Sequence, residues 1–217
     1  MKKLILILIF PFIAFSQNNE EPISNYGNTE VSDYTSINDS LKRFSVGLKL
    51  GIPNIASLGL QYTLPVLENH IAPYIDFSRY SFNEMDVESN LSFSEFGLSY
   101  YIDKKGKGSY IGLGFSNLSL DVNFLNIDLD SGGIGSGKSS VDLKTTNLKF
   151  GIKTGGRIYF RFEVGYGFGD LPQTVSFTAI DNSNPTLKET TVEDIPNIPG
   201  VSENGLLVGN FGFGISF

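Results

Sequence analysis

The sequence has no cysteine, no tryptophan, a single histidine and two methionines, and its 16 lysines and arginines are outnumbered by 23 aspartates and glutamates. Without cysteine there can be no disulfide framework, no thiolate nucleophile and no cysteine-based zinc site. A shortage of positive charge argues against nucleic acid as a partner, because that association is driven by lysines and arginines neutralising phosphates. Long apolar runs are also missing. The one candidate, Leu4 to Phe15, is well short of the ~20 residues a membrane-spanning helix needs. Any residence in a membrane must therefore use strands, the other architecture that satisfies every backbone polar group in lipid.

What is present starts with Met1, Lys2 and Lys3, then that apolar run, then the small residues Ala14 and Ser16 ahead of Gln17. This is the layout of a secretory signal peptide over residues 1–16. Its removal leaves 14 Lys and Arg against 23 Asp and Glu, a net charge of −9. Residues 17–43 are rich in Asn, Ser, Glu, Asp and Thr with no sustained period, which is the composition of a disordered tether on the periplasmic side. The remainder, residues 44–217, is expected to form one domain.

From Phe44 onward the chain alternates. Phe44, Val46, Leu48 and Leu50 interleave with Ser45, Gly47, Lys49 and Gly51, and Leu58, Leu60, Tyr62 and Leu64 with Ser57, Gly59, Gln61 and Thr63. The same period-two pattern carries Ile75 and Phe77, then Phe96 to Ile102, Ile111 to Phe115, Leu148 to Ile152, Ile158 to Phe168 and Leu207 to Phe217. Each run has one apolar and one polar face, the signature of a strand between two environments. The pattern predicts an all-β fold of about eight strands, a transmembrane antiparallel up-and-down barrel with apolar side chains toward lipid. A mean hydropathy of zero agrees, since only alternate residues need be apolar.

Connection lengths point the same way. Turns near Glu68, Lys105 and Gly155 are expected to be short, and loops after Phe82, Val122 and Gly169 longer, with only the connection near Pro53 breaking the alternation. Barrels of the outer membrane have short periplasmic turns and long outer loops. The polar face carries Lys49, Asp76, Glu95, Lys149, Lys153, Arg161 and Glu163. An eight-stranded barrel is just wide enough for side chains to fill it, so these charges are expected to meet in a lumen network that plugs the interior.

Over roughly residues 44–217 the chain resembles the small outer-membrane β-barrel superfamily of diderm bacteria, called porin-like or OmpX-like. The most specific element is the final stretch, where Phe211, Phe213, Ile215 and Phe217 alternate with Asn210, Gly212, Gly214 and Ser216. It looks like that family's C-terminal insertion signal. The resemblance implies a cell-envelope protein of the outer membrane, with outer-membrane lipid and the barrel-assembly machinery as partners. It brings over no catalytic residues, because that architecture hosts many functions.

Four features could suggest other chemistry. Gly132, Gly137, Lys138 and Ser139 satisfy the spacing of a phosphate-binding loop, but such a loop needs a strand before it and a helix after it. Here a polar loop and a strand are expected to follow, so the stretch reads as a flexible glycine-rich surface loop and no nucleotide is expected. Asn126, Asp128 and Asp130 have oxygen-ligand spacing, but Ser131 stands where a calcium loop needs glycine and no glutamate completes the set. His70 is the sole imidazole, and it falls beside Glu68 and Asn69 in a predicted periplasmic turn, where a solvated histidine is expected. Finally, Val175, Phe177 and Ala179 alternate before a turn at Asn182 to Pro185, followed by Thr190 and Val192, which reads as a hairpin above the membrane.

These readings predict no enzyme, no cofactor and no metal. The leading expectation is a non-enzymatic barrel with a plugged lumen, whose long outer loops dock an extracellular or envelope protein. A narrow pore or carrier for small solutes is the alternative, and a lipid-modifying barrel enzyme the third.

Overall fold

The computed structural model describes residues 41–217 apart from Met85, Lys104, Lys105, Ser131 and residues 196–198. The expected signal peptide and residues 17–40 of the expected tether lie outside the described residues. Every alternating run becomes a strand, short only of its last residues at Thr63 and Leu64, Ile102 and Phe217. The elements are β1 (Phe44–Ile52), β2 (Ile55–Tyr62), β3 (Ile71–Glu84), β4 (Val87–Tyr101), β5 (Gly108–Asp128), β6 (Ile134–Lys153) and β7 (Ile158–Phe168), followed by the short β8 (Thr174–Asp181), β9 (Lys188–Asp194) and β10 (Val201–Ser202), and then β11 (Gly205–Ser216).

Strands β1 to β7 pair antiparallel with their sequence neighbours, and β11 pairs with both β7 and β1. The sheet therefore closes on itself as an eight-stranded antiparallel barrel, as the sequence predicts. Leu48 lies opposite Phe213 on one side and Leu58 on the other, so the apolar rows run continuously around the outside. The two faces separate cleanly: Phe162 on the outer face is 58% exposed, and Lys149 on the inner face is 0% exposed. That distribution reverses a water-soluble barrel and suits one surrounded by lipid.

Two connections differ from the expected loops. The chain after Phe82 continues as strand to Glu84, and β4 begins at Val87, so a tight turn replaces a long loop. The chain after Val122 continues to Asp128, and β6 starts at Ile134. Gly137, Lys138 and Ser139 lie within β6, paired with Phe124, Asn123 and Val122. The expected flexible glycine-rich loop is thus a strand, and no helix follows it.

The physical reason is an inversion of the apolar face part-way along each long strand. In β5 the outward residues are Ile111, Leu113 and Phe115, then Asn117, Ser119 and Asp121, while the inward ones change from Gly112 and Gly114 to Leu118, Leu120 and Val122. In β4 outward Phe96 gives way to Ser94 and Ser92, and inward Glu95 to Phe93 and Leu91. Strands of 15, 21 and 20 residues in β4, β5 and β6 also exceed the length needed to cross, which is about 9–11 residues. These strands leave the apolar zone and continue as a sheet with a polar outside. Strands β1 and β2 are much shorter, so the extension overhangs one side of the barrel mouth.

The hairpin read between Val175 and Val192 is present as β8–β9, and β8 adds to the upper part of β6 from Lys138↔Thr178 to Gly135↔Asp181. Lower down, β6 pairs with β7 as far as Thr146↔Phe168. Between those two ladders the wall parts. Residues after Phe168 turn to the other neighbour, with Gly169 and Leu171 donating their N–H groups to the Asn204 and Glu203 carbonyls. The resulting cleft of about 510 Å³ is lined by Ser140, Val141 and Asp142 on one side and by Leu171, Pro172 and Val175 on the other.

Candidate functional site

The strand pleat places Lys49 (β1), Asp76 (β3), Glu95 (β4), Lys149 and Lys153 (β6), and Arg161 and Glu163 (β7) on the inner face, each at most 4% exposed. Burying an ion costs several kcal/mol unless partners surround it. Partners come from across the lumen. Lys49 Nζ stands 2.7 Å from Asp76 and 3.0 Å from Glu163, and Lys149 Nζ stands 2.6 Å from Glu95 and 3.9 Å from Glu163. Arg161 lies 3.9 Å from Glu163. Six of the seven charges therefore form one connected cluster with Glu163 at its hub.

Tyrosines complete the cluster. Tyr74 donates to Glu95 and Tyr110 to Glu163, both at 2.5 Å, and Tyr101 donates to Gln61 Oε1 at 3.0 Å. Their rings also face the cations, with Lys149 Nζ 4.5 Å and Lys49 Nζ 5.1 Å from the Tyr74 centroid. A desolvated cation over an aromatic face gains further attraction. The seventh charge, Lys153, meets no carboxylate in this cluster. It donates to Ser45 Oγ at 2.7 Å and Gln61 Oε1 at 3.2 Å and lies over the Tyr159 ring. Sequence reasoning that followed charge alone missed Gln61, Tyr74, Tyr101 and Tyr110 as members, although their place on the polar face was the available signal.

Glycine makes room for these bulky groups. A Cβ on Gly151 would collide with the Tyr110 ring, and one on Gly114 with the Tyr74 hydroxyl and the Glu95 carboxylate. Above the cluster lies a polar layer of Ser116, Thr145 and Asn147, linked by bonds of 2.7–3.1 Å. Above that the interior turns apolar, where Leu171, Leu206 and Val208 pack with Leu143.

Phe211, Phe213, Ile215 and Phe217 form an exposed outward row, with Phe211 stacked on Phe160 at 6.2 Å and Phe217 on Phe44 at 6.4 Å. His70 lies in the expected turn but is half-buried rather than solvated. Its Nδ1–H donates to the Tyr101 carbonyl at 2.5 Å and its ring stacks on Tyr100, so it staples the β3 entry to the β4 exit. Asn126 on β5 donates to Asp86 in the β3–β4 turn at 2.8 Å, and among the described residues no cluster of acidic or histidine side chains could hold a metal.

No family model and no curated protein matches the sequence. Among solved structures, the fold is similar to the crystal structure of CarO of Acinetobacter baumannii at 10% sequence identity, covering 81% of this chain and 98% of that one with a TM-score of 0.43. The barrel assignment rests on this chain's own closed strand register.

Proposed function

We propose that the protein is an integral β-barrel of the outer membrane, non-enzymatic, with a lumen sealed by side chains and an extension above the membrane that docks a partner. The observation that carries this reading is the inversion of the apolar face along β3 to β6. Below the inversion the outside suits lipid and the inside holds buried ions. Above it the outside carries Arg79, Asn117, Asp121, Asp142 and Lys144, which suits water. The extension therefore stands clear of the bilayer and turns a concave apolar face toward the mouth, with Phe82 and Leu120 left exposed. Beside it β9 is the outermost strand of its sheet and pairs only with β8 among the described residues. A free edge of this kind can accept a strand from another protein.

The same apolar face favours a second reading, a binding place for small hydrophobic molecules. The inner face is polar only in the lower barrel, and the carrier expected as the alternative would use the apolar face of the extension. Fractionation tests the common core of both readings: the protein is expected with outer membranes, in a form that runs differently on a gel before and after boiling. Recovery as a soluble periplasmic protein would overturn it. Replacing residues 174–194 by a short Gly-Ser turn then separates the two. Fatty-acid binding by the wild type, with cell-surface crosslinks unchanged in the variant, favours the carrier, and loss of crosslinks in the variant of a protein that binds no fluorescent fatty acid favours docking.

A further inference from the structure

The buried charges of the lumen do not balance. Lys49, Lys149, Lys153 and Arg161 face Asp76, Glu95 and Glu163, leaving one positive charge in excess. The excess is localised. Lys153 and Arg161 are directly opposite each other in the β6–β7 register, on the same inner face, and are 3% and 4% exposed. Like charges in that relation repel. Glu163, the one carboxylate among the described residues that pairs with either, is already shared among Lys49, Lys149 and the Tyr110 hydroxyl.

Donors also outnumber acceptors here. The single oxygen Gln61 Oε1 receives Lys153 Nζ, an Arg161 terminal nitrogen and the Tyr101 hydroxyl. Arg161 Nε is buried without a hydrogen-bond partner. Ser45 Oγ, the other acceptor for Lys153, is 3.0 Å from Ser216 Oγ, so a further hydroxyl lies alongside. Two cations, one orphaned N–H and a surplus of donors lack one thing, an anion. Lys153 is the last residue of β6, so the place is next to the barrel end that carries Phe44 and Ser216.

We infer that Lys153 and Arg161, with Ser45 and Gln61, form a binding site for one monovalent anion, probed with chloride and bromide, at this end of the lumen. One negative charge cancels the excess. The site is independent of what the outer extension binds.

The test uses the full chain in a neutral detergent, with chloride replaced by gluconate at constant ionic strength. The temperature at which the folded gel band converts to the unfolded one is expected to rise by several degrees with chloride and then saturate. In Lys153→Met the dependence is expected to vanish. Crystals grown in bromide should show an anomalous peak between residues 153 and 161, which decides the matter even if the variant fails to fold. Equal temperatures in the two salts, a chloride effect that survives in Lys153→Met, or bromide crystals without that peak would each overturn the site, and leave Lys153 as a neutral or hydrated amine.

Discussion

Lys49 of the first strand and Glu163 of the seventh meet 3.0 Å apart in the centre of the barrel, and the same carboxylate accepts the Tyr110 hydroxyl and lies 3.9 Å from both Lys149 and Arg161. Removing this hub leaves Lys49 and Lys149 with one carboxylate each, Asp76 and Glu95, and Arg161 buried beside them with none. Glu163→Ala is expected to destabilise the barrel by about 3–5 kcal/mol, the cost of breaking a buried pair from one side. Equilibrium unfolding in urea from lipid vesicles reads that difference. A loss under about 1 kcal/mol would mean that water, not the cluster, solvates these charges.

Inner glycines give a sharper test of packing. A Cβ on Gly112 would find its nearest neighbours at 3.6–3.9 Å on Lys149, which is ordinary contact. On Gly114 it would land on the Tyr74 hydroxyl and the Glu95 carboxylate, which Lys149 holds in place at 2.6 Å. Gly114→Ala is therefore expected to cost about 1–3 kcal/mol as an overpacked site, and Gly112→Ala to remain within about 0.5 kcal/mol of wild type. Equal effects at the two positions would show that the lumen is loose enough to repack.

The barrel was legible because its inner and outer surfaces demand opposite chemistries at every second residue, as from Ile158 to Phe168. The same rule hid the extension. A reader who follows the apolar face loses the strand at Phe115, because Leu118 and Leu120 resume on the other face after a change of phase. The polar stretch between Gly132 and Ser140 then passes for a loop, although its pairing with β5 makes it a strand. The lumen charges could be placed by parity alone, but which of them touch depends on strand stagger around a closed barrel. Nothing local in the sequence tells Lys149, which reaches Glu95 from β6, apart from Lys153 four residues on, which reaches none of the three lumen carboxylates.

The lipid-facing reading of the outer surface predicts a dependence on position. Phe162 lies mid-strand in β7 and is 58% exposed, and Val192 in the β9 hairpin is similarly exposed at 59%. In water the two would tolerate a charge alike. In a bilayer Phe162→Arg is expected to cost about 2–4 kcal/mol near the midplane, while Val192→Arg stays within about 0.5 kcal/mol as a surface change. Unfolding measurements in vesicles compare them directly, and equal costs would contradict the position of the membrane zone.

The last expectation concerns current. Eight strands leave an interior only as wide as its side chains, and here Tyr101 and Tyr110 lie with ring centroids 4.9 Å apart, both buried, directly beside the Glu163 cluster. An ion entering from the end that carries Phe44 must pass these two rings, then the ion pairs gathered on Glu163, then the Ser116, Thr145 and Asn147 layer. These barriers are packed side chains held by hydrogen bonds and ion pairs, so opening a path means breaking bonds that water does not cheaply replace. Wild-type protein in planar bilayers is expected to give at most small, infrequent steps. Tyr101→Ala combined with Tyr110→Ala removes the rings while leaving all seven lumen charges, and is expected to make steps larger and more frequent. Large steady channels from the wild type would show that the cluster lines a pore, and an unchanged double variant would place the seal higher, at the Ser116 layer.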